Sequence, residues 1–481
     1  MPRSFRSPGV ALPLLTALGA VVALYKLGAS SYFIDEANSV GEVQGSLGHL
    51  WHGVRTIEAS PATYFWALHY WTELTSSTSE WVTRLPSALA MVALVPAGWR
   101  LAQLFAPREA WAPALAALFT ALSPLVLQFG QQARPYAFLM LALALAVIAA
   151  VQASRWQSGR LFAFACLTAV AAICIHYFAI LVVLPLGVWL IRSAELPVRW
   201  RVGYTAIVAA VFVAWLPLAV EQYPHGGIGE FGKLTAGHVL LVLGDPFWGR
   251  SSLRAAILEP VGAAVVLGAL YVCAAPRTRR ALHDGWLLVA LVAVPLATLI
   301  VVAIAGKDVL ANRWALVAAP FAIVAIGVAI ASLQARWLAL PATALVLALN
   351  VIGVVKSDRQ SGFYADVRGA IKTVRAGIQP QDEVAYIGRS GIFSPVYVYA
   401  GKLLAHRAIL VPDPWAPRSQ LAAFSQAARR GARIWIIVDD APGEAPRSAG
   451  SLLPHGYTLR AQWLLPADED MRVLLSTSAR S

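Results

Sequence analysis

Charge is what this chain has least of. Only 13% of its 481 residues are Asp, Glu, Lys or Arg, roughly half the share of an ordinary soluble protein. With 58% hydrophobic residues and a mean hydropathy of +0.64, that scarcity excludes a disordered chain and argues against a soluble globular enzyme. Cysteine is scarce too. Cys166, Cys174 and Cys273 all fall inside apolar runs, so no disulfide framework ties loops or tail, and no zinc-ligand spacing exists. Acids are fewer than bases, 25 against 38, for a net charge of +13. Such an excess points first to nucleic acid. Its placement in short loops between apolar runs argues instead for a membrane protein obeying the positive-inside rule.

What the chain has in abundance is long apolar stretches. A membrane-spanning helix needs about 20 such residues. Eleven stretches qualify as candidates: 9–29, 83–104, 110–129, 135–153, 161–176, 178–191, 202–220, 255–273, 286–305, 314–332 and 337–355. The fifth and sixth are short and meet at His176-Tyr177, which reads as two helices joined by a tight turn. One set of alternate ends carries Arg3, Arg6, Arg100, Arg108, Arg155, Arg160, Arg192, Arg199, Arg201, Arg277, Arg279, Arg280 and Arg336, with few acids (Glu109, Glu195 and Asp284), and is assigned to the cytoplasm. The opposite ends carry Asp35, Glu36, Glu42, Glu58, Glu73, Glu80, Glu221, Glu230, Asp245 and Asp308. The first stretch follows Arg3 and Arg6, and is expected to be a retained helix rather than a cleaved leader. The expected topology puts the N-terminus in the cytoplasm and the tail on the opposite side of the membrane.

Charge density then changes. Residues 357–481 carry 26 charged side chains in 125 residues, far denser than the preceding part. The expected organisation is therefore a membrane domain over 1–356, with outer loops 30–80 and 221–254, and a small extracytoplasmic α/β domain over 357–481. In the tail, 364–376 has helical spacing. Strands are expected over 382–388, 432–438, 457–465 and 471–476, with a helix over 420–430. No Gly-rich phosphate loop follows these strands. In the first outer loop, 36–54 and 61–74 read as amphipathic, the second rich in aromatics (Tyr64, Phe65, Trp66, Tyr70, Trp71) that suit a headgroup plane or simple interface anchoring.

Ionisable groups at membrane boundaries are functional candidates. Asp35-Glu36 follows the first apolar stretch. A carboxylate there serves as a general base, as a ligand for a divalent metal ion, or as the N-cap of the next helix. Arg134 opens the fourth stretch within Gln131-Gln132-Ala133-Arg134-Pro135-Tyr136. A guanidinium suits the bidentate grip of phosphate oxygens, and equally suits snorkelling to lipid headgroups. Lys307, Asp308 and Arg313 precede the tenth stretch, and His176 and Tyr177 lie at a turn on the same side. Together they describe acids and cations at one membrane face, fit for a phosphate-bearing lipid.

An ordered set of short motifs runs through 1–335. It comprises Phe33-Ile34-Asp35-Glu36-Ala37, Ser79-Glu80-Trp81-Val82-Thr83-Arg84-Leu85-Pro86-Ser87-Ala88, Leu122-Ser123-Pro124, Ala133-Arg134-Pro135-Tyr136, His176-Tyr177-Phe178-Ala179 and Asn312-Arg313-Trp314. In this set the chain resembles the integral-membrane glycosyltransferases of the GT-C fold, bacterial relatives of protein O-mannosyltransferases and of the lipid A aminoarabinose transferase. The resemblance implies a mainly α polytopic enzyme that uses a polyprenyl-phosphate-linked sugar. It implies Asp35 as catalytic acid/base with Glu36 beside it, and Arg134 near the donor phosphate. Arg313 and Lys307, at the outer end of the tenth stretch, are further candidates to bind that phosphate. Tyr136, His176, Tyr177 and Asp245 are further site candidates. The resemblance implies hexosyl or pentosyl transfer, with inversion, to a hydroxyl of a glycolipid, glycan or protein acceptor. The chain departs from the family in lacking a second Asp-Glu pair in 221–254 and a repeat domain in the tail. The competing class is a transporter or lipid flippase, which would place ionisable groups near the midplane between internal repeats. Here they cluster at the ends of the stretches, and no repeat is evident.

Overall fold

The computed structural model describes residues 8–193, 195–225, 235–244, 255–276, 278, 282, 284–305, 312–359, 366–387, 393–401, 409–410, 426, 430–439, 448–465 and 468–478. By packing, the chain divides into two compact units. The first comprises Met1–Leu27, Gly45–Ser77 and Trp81–Asp358; the second comprises Gly28–Gln44, Thr78–Glu80 and Arg359–Ser481.

The first unit is helical. Among the described residues, five helices are long and apolar enough to cross a membrane: Glu80–Phe105, which enters this unit at Trp81, Tyr136–Trp156, Val198–Gln222, Gly285–Ile304 and Arg336–Val355. Ala112–Leu122 and Pro124–Gly130 add a sixth span if taken together, although a 53° bend separates them. Further apolar helices, such as Gly159–Ile175 and Ala319–Ala331, are shorter. The bend interrupts the expected span over 110–129, and its cause is local. Ser123 has extended backbone, its hydroxyl accepts from the Val126 amide, and Pro124 takes the first helical position.

Burial sorts these helices into inner and outer ones. Every residue from Ala319 to Ile330 is buried, which places this helix at the centre of the bundle. Gly327 packs there against the backbone of Ala116, where an added Cβ would lie 2.9 Å from the Ala116 nitrogen. Small residues at such crossings let helix backbones approach closely. Val198–Gln222 is the opposite case. Val202, Ile207, Val213, Leu216 and Val220 are exposed along it. An apolar helix with an apolar exposed face needs lipid as its solvent.

Among the described residues, the second unit is built on a five-stranded sheet of order β2-β1-β3-β5-β4. Its strands are β1 (Glu383–Ile387), β2 (Ile409–Leu410), β3 (Ile434–Asp439), β4 (Tyr457–Leu465) and β5 (Asp468–Ser478). β1 runs parallel to β2 and β3, while β5 is antiparallel to β3 and β4. β3 is buried along its whole length, as a central strand covered on both faces must be. Trp435 and Ile437 join Val384, Tyr386 and Val473 in one core, while Ile434, Ile436 and Val438 join Ala385, Ile387 and Leu474 in another. The first face is covered by the helix Val367–Gly377, capped by the Asp366 carboxylate on the Gly369 amide at 3.0 Å. The expected helix over 420–430 lies almost wholly outside the described residues.

The expected amphipathic stretch over 36–54 is two helices rather than one. Ile34–Val43 ends before Gly45, and Leu47–Thr56 begins at the Ser46 cap, whose hydroxyl accepts from His49. The break divides the loop between units. Ile34–Val43 belongs to the second unit, where Ile34 packs on the Trp435 core. Leu47–Thr56 and Thr63–Thr75 belong to the first.

Candidate active site

In the first unit the sequence-expected cation Arg134 is placed by the bent helix pair. Gln131 closes Pro124–Gly130, and its amide donates to the carbonyls of Ala23 and Tyr25 at 3.1 and 2.8 Å, fixing the turn. The Ser87 hydroxyl donates to the Arg134 carbonyl at 3.2 Å. Pro135 then opens the helix Tyr136–Trp156. The Arg134 side chain is buried and forks onto the Glu58 carboxylate, with Nη1 to Oε1 at 2.6 Å and Nη2 to Oε2 at 3.0 Å. The Phe65 and Tyr136 rings flank the guanidinium, their centroids 5.9 and 5.7 Å from its carbon. Such rings favour a cation by their quadrupole and exclude water from it.

His176 sits beside this group, its ring centroid 5.9 Å from that of Tyr136. It lies in the turn between Gly159–Ile175 and the short helix Tyr177–Ala179, and its Nδ1 accepts from the Phe178 amide at 3.2 Å. Burial drives the imidazole pKa down to about 3, and the charges of Arg134 and Arg313 push the same way. The imidazole is therefore a neutral hydrogen-bonding group at physiological pH. Tyr177 points elsewhere. Its hydroxyl donates to Gln222 Oε1 at 2.8 Å, and Gln222 Nε2 donates to the carbonyls of Val54 and Ser60 at 2.6 and 3.0 Å. That relay pins the segment carrying Glu58.

Asp35 and Glu36 belong to the second unit. They occupy the first turn of Ile34–Val43, where carboxylates are favoured by the unpaired amides of the helix end. Glu36 is fully buried, and its Oε2 accepts from the Phe33 amide at 3.1 Å. Its carboxylate thus closes the helix start as a capping group. Asp35 is half-buried, and its carbonyl accepts from the Ser39 hydroxyl at 3.0 Å. Lys307 and Asp245 lie outside the described residues. Among the described residues, no three His, Cys, Asp or Glu side chains are grouped to hold a metal ion.

Residues 59–220 match the family model of the dolichyl-phosphate-mannose-protein mannosyltransferases. No curated protein matches the chain. Among solved structures, ArnT from Cupriavidus metallidurans in the apo state superimposes with a TM-score of 0.60 at 12% identity, over 96% of this chain and 97% of that one. ArnT bound to undecaprenyl phosphate superimposes with a TM-score of 0.58 at 13% identity, over the same shares of each chain. The chain has the GT-C fold. The mannosyltransferase match contains Phe65, Arg134, Tyr136, His176 and Tyr177, so the aromatic and cationic wall of this site lies within it.

Sequence reasoning missed Glu58 and Gln222 as parts of the site. Glu58 carries a readable signal in hindsight: it is an acid on the same assigned side as Arg134, placed before an aromatic helix. Gln222 ends a long apolar helix and carries none.

Proposed function

We propose that the protein is a membrane glycosyltransferase that moves a hexosyl or pentosyl group from a polyprenyl-phosphate sugar to an acceptor hydroxyl. Transfer takes place at the outer face of a bacterial cytoplasmic membrane, with the N-terminus inside and the α/β tail outside. The observation that carries this reading is the buried Arg134, flanked by Phe65 and Tyr136, in a chain of GT-C fold. A guanidinium held away from water suits a lipid-linked phosphate.

The chemistry follows from the groups. As the bond between the sugar's C1 and the phosphate oxygen breaks, negative charge grows on the phosphate. Arg134 and Arg313 stabilise that charge, and Lys307 joins them. Neutral His176 adds hydrogen bonding without adding positive charge. Asp35 takes the proton of an acceptor hydroxyl attacking the opposite face of C1. One displacement inverts the anomeric centre. Glu36 supports Asp35 by closing the helix that carries it. The acceptor is a glycolipid, glycan or protein of the cell envelope.

The test compares envelope glycolipids and glycans by mass spectrometry in a deletion strain complemented with wild type, Asp35→Asn or Arg134→Gln. Loss of one sugar from an acceptor, with build-up of a polyprenyl-phosphate sugar and no rescue by Asp35→Asn, supports the reading. Full rescue by both variants overturns it.

A further inference from the structure

Three stretches distant in sequence meet in the second unit through one hydrogen-bonded clasp. Glu80 Oε1 is its centre, accepting from the Tyr399 hydroxyl at 2.7 Å and from Arg368 Nη1 at 2.9 Å. The Tyr399 oxygen in turn accepts from the Tyr32 amide at 2.7 Å, and the two tyrosine rings stack with centroids 5.6 Å apart. Arg368 reaches back with Nη2 to the Ala29 carbonyl at 2.6 Å and Nη1 to the Gly28 carbonyl at 3.2 Å. The Arg368 amide donates to the Ser31 hydroxyl at 3.2 Å. The Tyr32 hydroxyl donates to the Thr78 carbonyl at 2.6 Å.

Gly28, Ala29, Ser31 and Tyr32 are thus all bonded into this clasp, and the acid-bearing helix begins two residues after Tyr32. That helix is also seated by packing. Ile34 joins the Trp435 core, and a Cβ on Gly41 would meet Val398 at 3.5 Å. Burial and the adjacent Glu80 carboxylate hold the Tyr399 phenol well above its ordinary pKa. It therefore stays protonated and keeps donating to Glu80. Hydrogen bonds to an ionised group are the strong ones. The clasp consequently fixes both the entry point and the direction of Ile34–Val43.

We propose that Tyr399, acting with Glu80 and Arg368, is a positioning residue that holds the Asp35 helix in its working orientation. The tail then serves as the mount of the acid/base group. This inference rests on Asp35 having that role. Tyr399 touches no reacting atom; it acts through the Tyr32 amide and the start of the helix.

The full-length protein in lipid nanodiscs serves as the test, with Tyr399→Phe and, as a second route, Glu80→Gln. Hydrogen–deuterium exchange is read over 28–44 and over β3, together with kcat and KM for a polyprenyl-phosphate sugar. Loss of one charge-assisted bond is expected to speed exchange over 28–44 roughly tenfold, without change in β3. The kcat should fall by a similar factor while the donor KM stays within about twofold. Unchanged exchange over 28–44 in both variants overturns the clasp, whatever Asp35 does. Faster exchange with wild-type kcat, in a protein that Asp35→Asn inactivates, overturns the positioning role. An active Asp35→Asn variant instead removes the reading on which the inference rests, and overturns the positioning role with it.

Discussion

Arg134 and Glu58 form a two-pronged ion pair whose side chains are only 8% and 4% exposed. Taking both charges out of water is expensive, so losing one partner removes the charge that offsets the other's burial. Glu58→Gln is therefore expected to destabilise the protein by about 3 kcal/mol, and Arg134→Gln similarly. The double variant should lose clearly less than the sum, because both single losses count the same interaction. The same pair makes a functional prediction. If Arg134 grips the donor phosphate, a polyprenyl phosphate supplies the anion that Glu58→Gln lacks. Added lipid phosphate should then raise the melting temperature of Glu58→Gln more than that of wild type, by ligand linkage. Thermal melts of the four proteins with and without undecaprenyl phosphate decide both points. An additive cycle denies the coupling, and an equal lipid effect denies the phosphate role.

His176 gives a pH prediction whose sign is fixed by its environment. Its folded pKa, about 3, lies below the ordinary value of 6.5 because of burial and then the charges of Arg134 and Arg313. Between those values the unfolded chain binds the proton and the folded one does not. Stability from this group is therefore complete above pH 6.5 and is lost as pH falls toward 3. Its slope is at most about 1.4 kcal/mol per pH unit. His176→Asn keeps an acceptor for the Phe178 amide but removes the titration. Melting temperatures from about pH 7.5 to about 4.5 should fall less steeply for that variant than for wild type. Parallel curves would mean that His176 protonates in the folded protein.

Two glycines separate packing from helix propensity. A Cβ on Gly327 would lie 2.9 Å from the Ala116 nitrogen and 3.2 Å from its Cα, whereas one on Gly203 would meet nothing within 4 Å. Backbone cannot step aside as a flexible side chain can. Gly327→Ala should therefore lower stability by about 1–3 kcal/mol, as overpacking does. Gly203→Ala should be neutral or stabilising by up to about 1 kcal/mol. Melting in a single detergent tests the contrast. Equal effects would mean that the helices Ala112–Leu122 and Ala319–Ala331 part without penalty.

The elements legible in the sequence are those written in periodicity. The unbroken apolar run Ile434–Val438 announces a central strand, and β4 matches its expected bounds of 457–465. The bend at Ser123-Pro124 is visible as residues but not as a break, because the apolar pattern runs straight through it. Gly45-Ser46 is similarly hidden inside an amphipathic stretch. The candidate site is legible as single residues at helix ends. What escapes is pairing: Glu58 lies 76 residues from Arg134, and Glu80 lies 319 residues from Tyr399. No local pattern encodes such separations; only tertiary packing brings them together.

Asp35 and Glu36 are adjacent in sequence but sit in different environments, and mutation should tell them apart. Glu36 is buried and holds the Phe33 amide, while Asp35 is half-buried on the same helical turn. Glu36→Gln keeps an oxygen for that amide and should retain much of the stability. Glu36→Leu leaves the helix start uncapped, which costs about 1 kcal/mol or somewhat more. Asp35→Asn leaves the Glu36 cap intact, so its melting temperature should stay near that of wild type. Its turnover should nevertheless drop by roughly 100-fold or more, the scale of a lost general base. Paired measurements of melting temperature and sugar transfer on the three variants are the check. If Glu36→Gln lost turnover while Asp35→Asn kept it, the base would be Glu36, and the capping bond would have to open during the reaction.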